Sequence, residues 1–241
     1  SAVIYNILAA VNSGLGSFDA AIDSCKQAIK INPGYAEAYN NMGNILKEQG
    51  DLKAAIDSYK QALKIKPDYA LAYNNMGNVF HKQRDLDSAV TYYKQALKIN
   101  PSYIEAYTNM GLAQQEQGDL VAALDSHHQA LEIKPDYAYA CYNVGNTLKE
   151  QGDIVGALDS YRRALKINPD FALAHNNMGN ALQEKGDLGA AIDSYRYAIK
   201  IEPNYVEAYT NMGIVQQKQG DLAEAIGNYQ KALKIKPNYA E

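Results

Sequence analysis

The sequence predicts an all-α solenoid of helix-turn-helix repeats, on three observations. Seven prolines, Pro33, Pro67, Pro101, Pro135, Pro169, Pro203 and Pro237, fall 34 residues apart, and no proline lies outside that frame. A fixed period of this size marks stacked helical units, none of which can bury its apolar face alone. Glycines recur in the same frame at Gly43, Gly77, Gly111, Gly145, Gly179 and Gly213, and alanines at Ala55, Ala89, Ala123, Ala157, Ala191 and Ala225. Glycine inside a helix costs about 1 kcal/mol against alanine. Its recurrence therefore points to helices that approach each other closely at this level.

The frame makes residues 1–241 a single array: seven repeats (2–35, 36–69, 70–103, 104–137, 138–171, 172–205 and 206–239) and the start of an eighth at 240–241. Each repeat reads as two helices. In 36–69 the first covers Ala36 to Gln49 and ends at Gly50, a residue suited to the left-handed position that closes a helix. Asp51 caps the second helix by accepting an orphan backbone N–H. That helix reaches Ile65 and stops before Pro67, because proline disfavours helical geometry in the residue preceding it. Ser102 and Glu105 have capping-box spacing and are expected to open the next first helix. Tyr39, Met42, Leu46, Tyr59, Ala62 and Tyr69 complete the core of one repeat. A longer period of three repeats overlies the first: 36–69 and 138–171 share "LKEQGD", and 104–137 and 206–239 share "EAYTNMG".

Composition narrows the function. The chain is 47% apolar and 21% charged, as ordered proteins are. No stretch approaches the apolar length of a membrane span, so no membrane insertion is expected. The formal net charge of −4 argues against a nucleic-acid partner, which calls for a basic face. The start of the chain has no basic leader, and a cytoplasmic location is favoured. Cys25 and Cys141 fall at core aromatic positions and make no disulfide framework. His127 and His175 also take core positions, His128 faces outward and His81 points to the inner face. No two of them have metal-ligand spacing on one helix. The methionines Met42, Met76, Met110, Met178 and Met212 share one core position. No serine has a histidine and an acid at catalytic spacing. The expectation is a protein with no cofactor, no metal and no catalysis.

The asparagines remain. Asn competes for backbone hydrogen bonds and is a poor helix former, yet Asn41, Asn75, Asn109, Asn143, Asn177 and Asn211 occupy one position of six successive first helices. Asn44, Asn78, Asn146 and Asn180 form a second, interrupted row one turn later. An amide offers both donors and an acceptor. Two uses are open: gripping a peptide backbone without regard to its side chains, or bonding only between neighbouring helices.

The proline, glycine, alanine and aromatic positions together resemble the tetratricopeptide repeat signature, aromatic–x2–L–G–x2–Y…A–x3–F–x2–A–x4–P, with Met for Leu beside the glycine and Tyr for Trp. The resemblance implies a right-handed superhelix whose first helices line a concave groove for a protein or an extended peptide. The asparagine ladder, with "NNMGN", further resembles the substrate-binding arm of O-linked N-acetylglucosamine transferases. There the matching ladder binds the backbone of protein substrates; it fails here at Ile7. The chaperone-binding members use a cationic clamp, whose positions here hold residues such as Asn40, Leu71 and Glu105. The chain thus reads as a peptide-binding scaffold, with a substrate-recruiting arm of a larger enzyme and a self-assembling structural module as the alternatives. Ile226, Tyr229, Leu233 and Ile235 near one end, and Val3, Ile4, Ile7 and Leu8 near the other, are expected to expose apolar faces. Weak end-to-end self-association follows.

Overall fold

The computed structural model describes residues 1–238. Tyr239, Ala240 and Glu241, where the frame puts the close of the seventh repeat and the start of an eighth, lie outside the described residues. Fourteen helices account for the regular structure among the described residues, and no strand accompanies them: α1 (Ala2–Gly14), α2 (Phe18–Ile31), α3 (Ala36–Gln49), α4 (Leu52–Ile65), α5 (Ala70–Lys82), α6 (Leu86–Ile99), α7 (Ile104–Glu116), α8 (Leu120–Ile133), α9 (Ala138–Glu150), α10 (Ile154–Ile167), α11 (Ala172–Lys185), α12 (Leu188–Ile201), α13 (Val206–Gln219) and α14 (Leu222–Ile235). They form two compact units, Ser1–Asp119 with α1–α7 and Leu120–Glu241 with α8–α14.

Local chemistry sets the boundaries. Asp51 and Asp85 accept from the backbone N–H of Ala54 and Ser88 at 3.0 and 3.1 Å, and Asp153 and Asp187 cap α10 and α12 in the same way. Gly50 closes α3 at φ 91°, in the left-handed region where a side chain is strained. Arg84 takes the corresponding place after α5 at φ 65° and pairs with Glu116. The capping box expected at Ser102 is not formed. Tyr103 holds the N-cap position of α7 without a side-chain bond, and the Ser102 hydroxyl instead donates to Asn100 Oδ1 at 2.9 Å. Asn100 lies two residues upstream in the turn and meets the serine first.

Within each unit every helix packs on the next, and the first helices also touch their counterparts one repeat away: α1 with α3, α3 with α5, α5 with α7; α9 with α11, α11 with α13. The second helices make no such contacts with one another among the described residues. The row of first helices is therefore the closely packed one in each unit.

The interlock inside a pair explains the recurrent glycine. Tyr59, Tyr93, Tyr161 and Tyr195 of the second helices are fully buried. Each ring abuts the glycine of its own first helix: a Cβ on Gly43 would come within 2.5 Å of the Tyr59 ring, and one on Gly77 equally close to Tyr93. The cost of glycine in a helix is offset by the burial of an aromatic ring on the order of 200 Å². The methionines are buried at Met76, Met110 and Met212 and half-buried at Met42 and Met178. Of the end residues, Val3, Ile4, Ile7, Leu8, Ile226 and Leu233 are exposed, whereas Tyr229 and Ile235 are half-buried.

Candidate functional site

The first asparagine row lies between neighbouring first helices, and its amides follow one rule. The Nδ2 of each residue whose partner the structure shows donates to the residue 35 positions earlier. In the unit Ser1–Asp119, Asn41 donates to Asn6 Oδ1 at 2.9 Å, Asn75 to Asn40 at 3.0 Å and Asn109 to Asn74 at 3.2 Å. In the unit Leu120–Glu241, Asn177 donates to the Tyr142 hydroxyl at 3.0 Å and Asn211 to Asn176 Oδ1 at 3.1 Å. Bonding between neighbouring helices, one of the two uses left open by the sequence, is thus present. It uses the donor end of the amide. The Oδ1 atoms of Asn41, Asn109 and Asn211 accept no hydrogen bond among the described residues.

The second row has the opposite polarity. Asn44, Asn78, Asn146 and Asn180 accept at Oδ1 from the hydroxyls of Tyr59, Tyr93, Tyr161 and Tyr195, at 2.7 to 2.9 Å. Asn109 and Asn177 add a second bond to Asn78 and Asn146, at 3.1 and 2.9 Å. Burial pushes all four phenols up, and they remain protonated donors. The Nδ2 groups of Asn44, Asn78 and Asn180 donate to nothing among the described residues. On α3 one turn of helix separates the free acceptor of Asn41 from the free donor of Asn44, whereas the free acceptors of Asn109 and Asn211 are followed one turn later by Leu112 and Ile214.

Exposure is uneven along the row. Asn41, Asn109, Asn177 and Asn211 are half-buried, while Asn75 is 7% and Asn143 1% exposed. Asn143 Nδ2 is buried without a partner. Asn41 and Asn44 line a hollow of about 220 Å³ with Ala10, Ser13, Ile45 and Glu48. A larger hollow, of about 540 Å³, is lined by residues such as Pro169, His175 and Tyr197 and by none of the row asparagines.

The remaining candidates fall as their positions imply. Cys25 and Cys141 are buried, and desolvation drives the Cys25 thiol up to about 11, away from thiolate chemistry. His127 is fully buried, His128 exposed, and His175 stacks on Tyr197. His81 bonds Glu116 of α7 at 2.9 Å. The described residues contain no cluster of three or more potential metal ligands, and none of their helices is long and apolar enough to cross a membrane. Two features escape a reading of the sequence alone. The residues preceding the ladder, Asn6, Asn40, Asn74 and Asn176, are its acceptors, a pairing foreshadowed by the doublet "NN". The second is the ring cluster that Tyr139 and Tyr142 of α9 form with Phe171, which only the fold brings together.

A family model described as "TPR repeat" matches residues 15–50, 43–84, 145–186 and 179–220, and one described as "Tetratricopeptide repeat" matches 70–103, 104–137 and 206–239. No curated protein sequence matches the chain. Among solved structures, MamA is 26% identical at TM-score 0.60, over 67% of this chain and 95% of that one. YrrB, described as a TPR protein with an unusual peptide-binding site, is 22% identical at TM-score 0.58, over 76% of this chain and 95% of that one. A chain of the APC/C hetero-tetramer Cut9–Hcn1 is 16% identical at TM-score 0.74; the match spans 92% of this chain and 46% of that one. At these identities the last two carry the fold alone.

Proposed function

Because the chain belongs to the tetratricopeptide repeat family, we propose that it is a non-catalytic scaffold that grips an extended peptide through the asparagine rows of its first helices. One observation carries the proposal: the two rows offer free groups of opposite polarity. The Oδ1 atoms of Asn41, Asn109 and Asn211 can accept peptide N–H groups, and the Nδ2 groups of Asn44, Asn78 and Asn180 can donate to peptide carbonyls. Each amide is held at its other end by a helix or a buried tyrosine, so little side-chain freedom is lost on binding. Helices pack on the order of 10 Å apart and an extended peptide advances about 3.3 Å per residue. One row position per helix then falls at about every third peptide residue, the free acceptors of α3, α7 and α13 occupy a subset of these positions, and recognition ignores the side chain. Asn146 and Asn177 belong to the same rows, and Asn75 and Asn143 reach a ligand only where neighbouring side chains move aside. The division into seven repeats is the register of this proposal. The peptide-binding site described for YrrB supports it by likeness of fold. The ladder's resemblance to the arm of O-linked N-acetylglucosamine transferases extends the same grip to a second reading, substrate recruitment for a larger enzyme.

The test must separate binding from stability, since each amide also joins two helices. Replacing Asn41, Asn109 and Asn211 by Ala removes four inter-helix bonds, each worth about 1 kcal/mol. Met76→Ala, a fully buried core substitution that removes no asparagine amide, costs a comparable ~2–5 kcal/mol. Binding of labelled unstructured peptides is followed by fluorescence anisotropy at a temperature where both variants remain folded. The proposal expects at least a tenfold loss in the asparagine variant, about 1.4 kcal/mol, and none in Met76→Ala. Equal effects in the two variants would refute it.

A further inference from the structure

Helix α9 carries Tyr139, Tyr142, Asn143 and Asn146 at i, i+3, i+4 and i+7, on one face. Tyr139 stands where the other repeats have Val3, Glu37, Leu71, Glu105, Leu173 and Glu207. Tyr142 stands where they have Asn6, Asn40, Asn74, Thr108, Asn176 and Thr210. Tyr142 packs against the core beside Cys141, which stands where those repeats have a ring such as Tyr39 or Tyr107, so packing accounts for Tyr142 but not for the exposed Tyr139.

The rings form a shelf. Tyr142 and Phe171 are 5.0 Å apart between centroids, Tyr139 and Tyr142 6.1 Å, and Tyr139 and Phe171 6.4 Å. The shelf adjoins the asparagine rows, because Asn177 Nδ2 donates both to the Tyr142 hydroxyl and to Asn146 Oδ1. Tyr139 is 38% exposed, and its hydroxyl has no partner among the described residues. Leu173, 44% exposed at the same frame position on α11, continues the apolar strip.

We propose that this shelf takes an aromatic side chain of the bound peptide and gives the unit Leu120–Glu241 a side-chain preference that the asparagine rows lack. The inference rests on the peptide-gripping reading above. Three features select the aromatic class. Exposed tyrosine faces and edges favour offset or edge-to-face packing of another ring. A cation already stands beside the shelf, since Lys134 lies 5.5 Å over the ring of Tyr137, itself 6.2 Å from Tyr139, and it opposes an incoming Lys or Arg. Proline lacks the N–H that the acceptor row requires.

The experiment uses the full chain and labelled glycine–serine peptides with one central Phe, Ala, Arg or Pro. The native chain and Tyr139→Phe should bind the Phe peptide about tenfold more tightly than the Ala peptide. Tyr139→Glu, which restores the residue of three other repeats, should bind the two equally while keeping the native melting temperature. The Arg and Pro peptides should bind no better than the Ala peptide. Equal binding of Phe and Ala peptides to the native chain, or a Phe preference that survives in Tyr139→Glu, would overturn the shelf. An Arg peptide that binds best would overturn the aromatic assignment. The asparagine triple variant separates the two readings. If it loses all peptides alike and the native chain shows no Phe preference, the shelf fails and the grip stands. If it keeps full affinity with a Tyr139-dependent Phe preference, the grip fails and the shelf stands.

Discussion

At position 127 a histidine occupies the place of the buried tyrosine of other repeats, and that changes how the chain responds to acid. His127 is fully buried and neither ring nitrogen has a partner. Desolvation, aided by the adjacent His128, lowers its pKa from 6.5 to about 4. The unfolded chain takes up the proton near 6.5 and the folded chain resists until about 4. The contribution to stability is thus complete above 6.5 and is lost as pH falls through that window, by about 3 kcal/mol in all. His127→Phe should flatten the dependence between these limits; urea melts at pH 7 and pH 4.5 measure it, and an unchanged difference between them would contradict the assignment. The same position shows how coupled the frame is. The residue that accepts the tyrosine hydroxyl elsewhere is Leu112 in this repeat, so donor and acceptor are both absent. In repeat 206–239 the acceptor position holds Ile214, and the Tyr229 hydroxyl turns to Gln217 at 3.1 Å.

Among elements, the glycine–tyrosine contact decides how closely two helices can pair. Gly77→Ala should gain up to about 1 kcal/mol in helix propensity. It would also place a methyl group 2.5 Å from the Tyr93 ring, which is fully buried and cannot swing away. Overpacking of this kind costs about 1–3 kcal/mol, so a net destabilisation is expected. Thermal melts should show a lower Tm, and a raised Tm would mean the ring has room that the structure denies. The helix limits of α3 and α4 were legible to the residue, because Gly50, Asp51 and Pro67 act locally. The capping box at Ser102 was misread because a second side chain, Asn100, competes for the same hydroxyl. The Tyr–Asn bonds were not legible at all. They join residues 15 apart on two helices, and only the rotation of one helix against the other brings them together. Of the ladder, the shared helix position could be read; that Asn75 and Asn143 are buried, and which end of each amide stays free, could not, since both depend on the neighbouring helix.

For the whole chain, two apolar faces bear on association. Ile4, Ile7 and Leu8 of α1 and Leu222, Ile226 and Leu233 of α14 are exposed. Each earlier second helix within a unit, such as α4 or α12, carries the following first helix against it. A second copy that seats its own α1 on the exposed face of α14 makes a heterologous contact that propagates rather than closes. One helix face is small against a stable interface of about 1,600 Å², so the association should be weak. Light scattering should show mass rising with concentration, and Leu233→Glu should abolish the rise; a constant mass in the unmodified chain would exclude the contact.

The central claim, that the asparagine rows receive a peptide backbone, is tested most directly at the amide groups themselves. Nuclear magnetic resonance resolves the side-chain NH2 signals of Asn44, Asn78 and Asn180, whose Nδ2 groups are free in the unliganded chain. During titration with a glycine–serine peptide bearing one phenylalanine, these signals should move downfield and saturate with the binding isotherm, as each donates a new hydrogen bond to a peptide carbonyl. Saturable binding that leaves all three signals in place would contradict the account.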